Sequence, residues 1–103
     1  MLLTVERIMI LKSVELFAHT PDKILAEIAA LLQEVEAPAG TVIFTQGEPG
    51  ASMYIIVSGE VEALDGAQVF TRMGAREIFG EMALLDDEPR TATLRATQAV
   101  HLL

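Results

Sequence analysis

The placement of glycine constrains this chain more than any other feature. All seven glycines fall between positions 40 and 80, at Gly40, Gly47, Gly50, Gly59, Gly66, Gly74 and Gly80. The runs between them are short and rich in β-branched and aromatic residues: Thr41-Val42-Ile43-Phe44, Met53-Tyr54-Ile55-Ile56-Val57, Val61-Glu62-Ala63-Leu64 and Val69-Phe70-Thr71-Arg72. Such runs suit strands, and strands this short joined by turns such as Asp65-Gly66 fold as a β-sandwich or barrel. Thr91–Arg95 and Ala99–Leu102 are two further strand candidates. Phe44, Tyr54, Ile56, Val61 and Phe70 are the expected core.

The first third reads differently. Ile8, Leu11 and Lys12 open a short amphipathic turn, followed by the apolar hook Val14-Glu15-Leu16-Phe17. Thr20-Pro21-Asp22 predicts a helix start, with Thr20 as N-cap and Pro21 at the first helical position, where its missing N–H costs nothing. Ile24, Leu25, Ile28, Leu31 and Leu32 form one apolar stripe at helical spacing. Pro38 and Gly40 cannot continue that helix, so it should fade near Val35. The expected organisation is one domain: a helical segment over 1–36 and a β-barrel over 37–103.

Half of the 103 residues are hydrophobic (51%), enough to close one core. There is no cysteine, hence no disulfide framework and no thiolate chemistry, in keeping with a cytoplasmic location. Fifteen acidic and seven basic residues give a net charge of −8, a field that repels a polyanion and argues against direct nucleic-acid binding. An anionic small ligand is admissible only where a local cation overrides that field. No apolar stretch approaches the roughly 20 residues of a membrane helix, and the N-terminus lacks a signal-peptide pattern. His19 and His101 are far apart in sequence, with no metal-ligand spacing, and read as surface or rim residues.

One segment breaks the β pattern: Phe79-Gly80-Glu81-Met82-Ala83-Leu84-Leu85-Asp86-Asp87-Glu88-Pro89-Arg90-Thr91-Ala92-Thr93. Met82 to Leu85 favour a helix of a turn or two that Pro89 ends. A helix opening on Gly80 presents unpaired backbone N–H groups to an anion. Arg90 carries a planar fork that matches two phosphate oxygens. Glu81 is an acceptor suited to a sugar hydroxyl, or else a carboxylate favoured by the helix dipole. Standing alone, Arg90 would be a surface arginine screened by Asp86, Asp87 and Glu88, a solvated loop. The Gln46–Gly50 stretch reads as a plain turn.

With these residues in place, the chain closely resembles the cyclic-nucleotide-binding domain family, which includes catabolite-activator-like effector domains. The phosphate-binding cassette of that family is matched over residues 79–94. Phe17, Pro38–Ile43, Gln46-Gly47-Glu48 and Met53–Val61 are similar to its upstream marks, so the likeness covers about Leu11 to Leu103. The resemblance implies a mainly β fold, an antiparallel β-barrel or jelly roll of about eight strands with N-terminal helices and a short cassette helix. It implies that Gly80, Glu81, Met82, Ala83, Arg90, Thr91 and Ala92 bind cAMP or cGMP. Arg90 would pair with the cyclic phosphate, helped by the N–H groups of Ala83 and Thr91, while Glu81 would accept from the ribose 2′-hydroxyl beside Gly80. Phe70 and Phe79 are candidate pocket walls. Thr91 leaves cGMP open beside cAMP. The family pattern also carries two lid helices after the last strand, which are missing from the sequence up to Leu103.

The implied role is a sensor module without catalysis or cofactor. It would be coupled to an effector in a longer protein (a transporter, channel, kinase or transcription-factor region), with a homodimer compatible. A ligand-free structural barrel is the alternative, which an intact Arg90 and Glu81 oppose. A metal-dependent cupin would need a His-x-His cluster that this sequence lacks.

Overall fold

The computed structural model describes residues 1–50, 52–80 and 89–103. Two helices come first, α1 (Thr4–Ser13) and α2 (Asp22–Leu31), separated by a 3₁₀ turn at Glu15–Phe17. Eight strands follow among the described residues: β1 (Val35–Ala37), β2 (Val42–Phe44), β3 (Tyr54–Ser58), β4 (Val61–Asp65), β5 (Gln68–Met73), β6 (Ile78–Phe79), β7 (Thr93–Ala96) and β8 (Val100–Leu102). They form two four-stranded antiparallel sheets, in the orders β1-β8-β3-β6 and β2-β7-β4-β5. This is a jelly-roll arrangement. No ladder among the described residues joins one sheet to the other, so the expected barrel is an open roll.

The unbroken apolar run Tyr54-Ile55-Ile56-Val57 explains how the layers stack. Side chains alternate across a strand, so a strand apolar at every position must be covered on both faces. Ile56 points into the core between the sheets with Val61, Ala63, Leu94 and Leu102. Ile55 and Val57 point the other way, against Leu11, Leu25, Ala29 and Leu103 of the helical layer. Leu11, Leu25 and Ile56 are completely buried. The N–H and C=O groups of Ile55 and Leu103 exchange hydrogen bonds of 2.9 Å, which extends the β3–β8 ladder to the last residue.

The helices differ from expectation in detail. The N-terminal turn is a ten-residue helix, its first orphan donor, the Leu3 N–H, satisfied by the Glu6 carboxylate at 2.9 Å. In α2, Pro21 takes the N-cap position in place of Thr20, and no side chain caps the helix. The buried stripe of α2 runs through Leu25 and Ala29 with Ile28 and Leu32 beside it, while Ile24 and Leu31 face solvent. The helix stops at Leu31, and Val35–Ala37 is strand β1. Those three residues pair with β8, a partner 65 residues away that local propensity does not see.

Phe70 corrects the expected core. Ala63 and Leu64 pair with Thr71 and Val69, so Phe70 is the extra residue of a β-bulge. A bulge breaks the strict alternation of a strand. The Phe70 ring is 59% exposed as a result.

His101 also departs from the rim role. It lies on β8 with its Nε2 3.0 Å from Glu34, and the same carboxylate accepts from Arg7 of α1 at 3.2 Å and from the Leu2 N–H. Glu34 thereby ties the N-terminal helix to the roll. The Leu2 N–H bond, with His101 and Arg7 behind it, outweighs desolvation and lowers the Glu34 pKa from 4.5 to about 2. A carboxyl held that low contributes stability above pH 4.5 that is lost as the pH falls toward 2. Glu34→Gln should lower the melting temperature at pH 7, and thermal melts across pH 7 to 2 should show the gap from wild type closing between pH 4.5 and 2. A gap that is constant through that window would count against the assignment.

Candidate functional site

The site is built from the turn after β2, the end of β6 and the segment leading into β7. Thr45–Glu48 closes a tight turn, with the Glu48 N–H donating to Thr45 at 3.1 Å. Gln46 pins this turn from three sides. Its N–H donates to Thr93 Oγ1, its amide nitrogen donates to Asp65 Oδ1, and its amide oxygen accepts from the Gly66 N–H, each at 3.0 Å. The turn in turn grips the backbone of Arg90. The Arg90 N–H donates to the Glu48 carbonyl at 2.9 Å, and the Gly47 N–H donates to the Arg90 carbonyl at 2.8 Å. The stretch expected as a plain turn is therefore a turn that also fixes the backbone of the central cation.

The Arg90 side chain runs inward and is 8% exposed. Nη2 donates to the Ser52 carbonyl at 2.9 Å, and Nη1 stands 3.5 Å from the Gly80 carbonyl, at the limit of a hydrogen bond. Its Cζ lies 4.0 Å from the centroid of the Phe44 ring. Among the described residues, no carboxylate forms an ion pair with it. Two other arginines do have such partners, Glu34 for Arg7 and Glu62 for Arg95. A guanidinium keeps its charge at physiological pH, and burying it without a counter-ion costs several kcal/mol.

Beneath the cation lies an aromatic cluster. Phe44 comes from β2 in one sheet, while Tyr54 and Phe79 face each other across the β3–β6 ladder of the other. Tyr54 and Phe79 stack at 5.0 Å, and Phe44 lies 5.9 Å from Phe79 and 6.3 Å from Tyr54. Both sheets thus meet under Arg90.

Two glycines make room for this arrangement. Gly80 has φ +83°, and a Cβ there would stand 2.6 Å from the Ser52 carbonyl oxygen and 3.1 Å from Arg90 Nη1. Protein atoms already demand glycine at position 80, apart from any ligand. At Gly50 a Cβ would meet only the guanidinium, at 2.9 Å from Nε and 3.0 Å from Nη2.

The structure thus brings Gly80 and Arg90 together. It leaves Thr91 exposed next to them and turns the Ala92 methyl into the inter-sheet core. Phe79 is a core residue at 3% exposure, and Phe70 projects from the β5 bulge. Glu81, Met82 and Ala83, the expected cassette helix and the Asp86–Glu88 loop lie outside the described residues. Sequence reasoning missed the parts played by Phe44, Gln46, Gly50 and Ser52. The signal for three of them was their nearness to Gln46-Gly47-Glu48.

The two glycines should respond differently to a methyl group. Gly80→Ala meets backbone in a left-handed conformation and should cost about 1–3 kcal/mol in urea unfolding. Gly50→Ala meets the guanidinium rather than backbone and has no left-handed conformation to strain, so it should cost less than Gly80→Ala, its effect coming from displacement of Arg90. Equal losses would show that the Ser52 contact is not what excludes a side chain at 80.

Comparison with known proteins agrees with this geometry. The family model for the cyclic nucleotide-binding domain matches residues 34–103. A cAMP-dependent protein kinase regulatory subunit of Emericella nidulans is 43% identical over 73% of the chain and 19% of its own length. A cyclic nucleotide-gated potassium channel of Mesorhizobium japonicum is 41% identical over 88% of the chain and 25% of its own length. Among solved structures, the regulatory domain of Toxoplasma gondii PKA with cAMP superposes with a TM-score of 0.88 at 32% identity, covering 96% of this chain and 40% of that one. The chain thus spans about a fifth to a quarter of the length of these two curated relatives. With the open eight-stranded roll and the Gly80–Arg90 pairing already in hand, the match over two thirds of its residues makes this chain a member of the cyclic nucleotide-binding domain family.

Proposed function

We propose that this domain binds a cyclic nucleoside monophosphate, cAMP or cGMP, as the sensing part of a larger regulatory protein. The single observation that carries the proposal is the buried Arg90 guanidinium. It is held by carbonyl oxygens and a neutral ring, with no acid paired to it among the described residues. A buried cation that no described carboxylate neutralises is suited to receive an anion carrying one or two accessible oxygens. The singly charged cyclic phosphate fits that description. In this reading Arg90 takes the exocyclic phosphate oxygens, with the N–H groups of Ala83 and Thr91 beside it. Glu81 accepts from the ribose 2′-hydroxyl next to Gly80, with Met82 and Ala92 flanking the site and Phe70 at its outer wall.

A relative that is the regulatory subunit of a cAMP-dependent kinase, and a superposed structure determined with cAMP, support cAMP as the first ligand to test. The exposed Thr91 leaves a hydroxyl for a guanine amino group and keeps cGMP in the comparison. The effector lies in another part of the protein. A kinase regulatory subunit and a channel, the two relatives above, show how widely effectors differ around this fold. Binding is the domain's whole task in this reading, with no bond made or broken. Among the described residues no helix is long and apolar enough to cross a membrane.

Calorimetric titration with cAMP and cGMP tests the proposal. Arg90→Ala should weaken binding of the preferred nucleotide by at least about tenfold, because a charge-assisted contact contributes roughly 1.5–3 kcal/mol. Unchanged affinity would overturn the assignment of the phosphate contact. Glu81→Gln should weaken both cyclic nucleotides and leave the thermal shift produced by inorganic phosphate unaltered, since the residue meets only the sugar. An equal response to all three ligands would rule out that role.

A further inference from the structure

Phe44 lies outside the 79–94 segment, on β2 beside β7, and nothing in the proposed nucleotide contacts requires it. We propose that Phe44 is a positioning residue for the phosphate site, its ring face holding the Arg90 guanidinium in the plane that meets the ligand. The inference rests on the nucleotide-binding reading above and adds to it the device that keeps Arg90 ready.

The geometry is specific. The Cζ–centroid distance of 4.0 Å is well within the range of a cation–π contact, and the side chain is almost fully enclosed. The ring is itself fixed. It is 9% exposed and braced against Phe79 and Tyr54, so it cannot turn away without disturbing both sheets. Ser52 and Gly80 anchor the two terminal nitrogens by their carbonyls, and Gly50 leaves space along Nε, Cζ and Nη2. Contacts at the nitrogens set where the fork lies, and the ring sets its tilt.

The chemistry of the support matters as much as its position. Arg7 and Arg95 are each held by a carboxylate, which neutralises the charge it holds. A carboxylate under Arg90 would compete with the phosphate for the same donors. A phenyl face stabilises the cation through its quadrupole and takes none of the N–H groups that Ser52 and Gly80 leave over. Holding the side chain in one rotamer before the ligand arrives also removes part of the ordering cost of binding.

The test replaces Phe44 by ring-fluorinated phenylalanines of rising fluorine count, which keep the shape and withdraw negative charge from the face, with Phe44→Leu as the endpoint. Two quantities are read: cAMP and cGMP affinity by calorimetry, and the Nε–Hε resonance of Arg90 in the ligand-free protein by NMR. Affinity should fall in step with fluorination and by roughly three- to thirtyfold for Phe44→Leu. The Arg90 resonance should move in the same order as the ring is weakened. A flat affinity series in a protein that binds nucleotide would overturn the inference while leaving the nucleotide-binding reading intact. A wild type that binds neither nucleotide would overturn that reading, and the resonance then decides the stack by itself. An Arg90 signal indifferent to the ring at position 44 would overturn it.

Discussion

A buried cation sets the terms for one end of this molecule. Arg90 is held under a turn, between two carbonyl oxygens and over a phenyl ring, supports that come from residues 44–52 and from Gly80. The turn after β2 fixes its backbone, the start of β3 and the end of β6 fix its nitrogens, and β2 supplies the ring. Desolvation of a guanidinium is costly, so none of these contacts is dispensable to a fold that keeps the charge inside. Because they come from both sheets, the site forms only when the roll has formed.

The roll owes its layering to β3. Its four consecutive apolar residues are divided between two cores, one between the sheets and one beneath the helices. Ile55 and Ile56 are neighbours in sequence yet belong to different clusters, which couples the helical layer to the aromatic cluster under Arg90 through a single strand. Glu34 provides a second tie, joining the N-terminal helix to β8 by way of Arg7 and His101. The site and the helical layer therefore rest on the two faces of one strand.

Much of the β portion was legible because its signals are local. The glycine turns and β-branched runs gave six of the eight strands nearly to the residue. The two that were not read, β1 and β6, are three and two residues long, and each exists only through pairing with a distant partner. Phe70 was misread because a bulge depends on the register between β4 and β5, and Phe70 by itself looks like any inward aromatic. Ile24 and Leu31 have the right helical spacing for a buried stripe. Which part of that stripe is covered depends on how α2 sits on the sheet.

At the site the same division holds. The sequence determined the composition of the chemistry: one arginine after a proline, a glycine at the close of a strand, and a chain acidic enough that this cation stands out. It also determined that these lie in one short segment, and the resemblance it carries is to a single family. Only the tertiary structure decided that Arg90 points inward, that Ser52 and Phe44 receive it, and that Gly50 is the space it occupies. Position 44 is 46 residues from position 90, and they meet because β2 pairs with β7 in one sheet, a long-range pairing that no local pattern encodes.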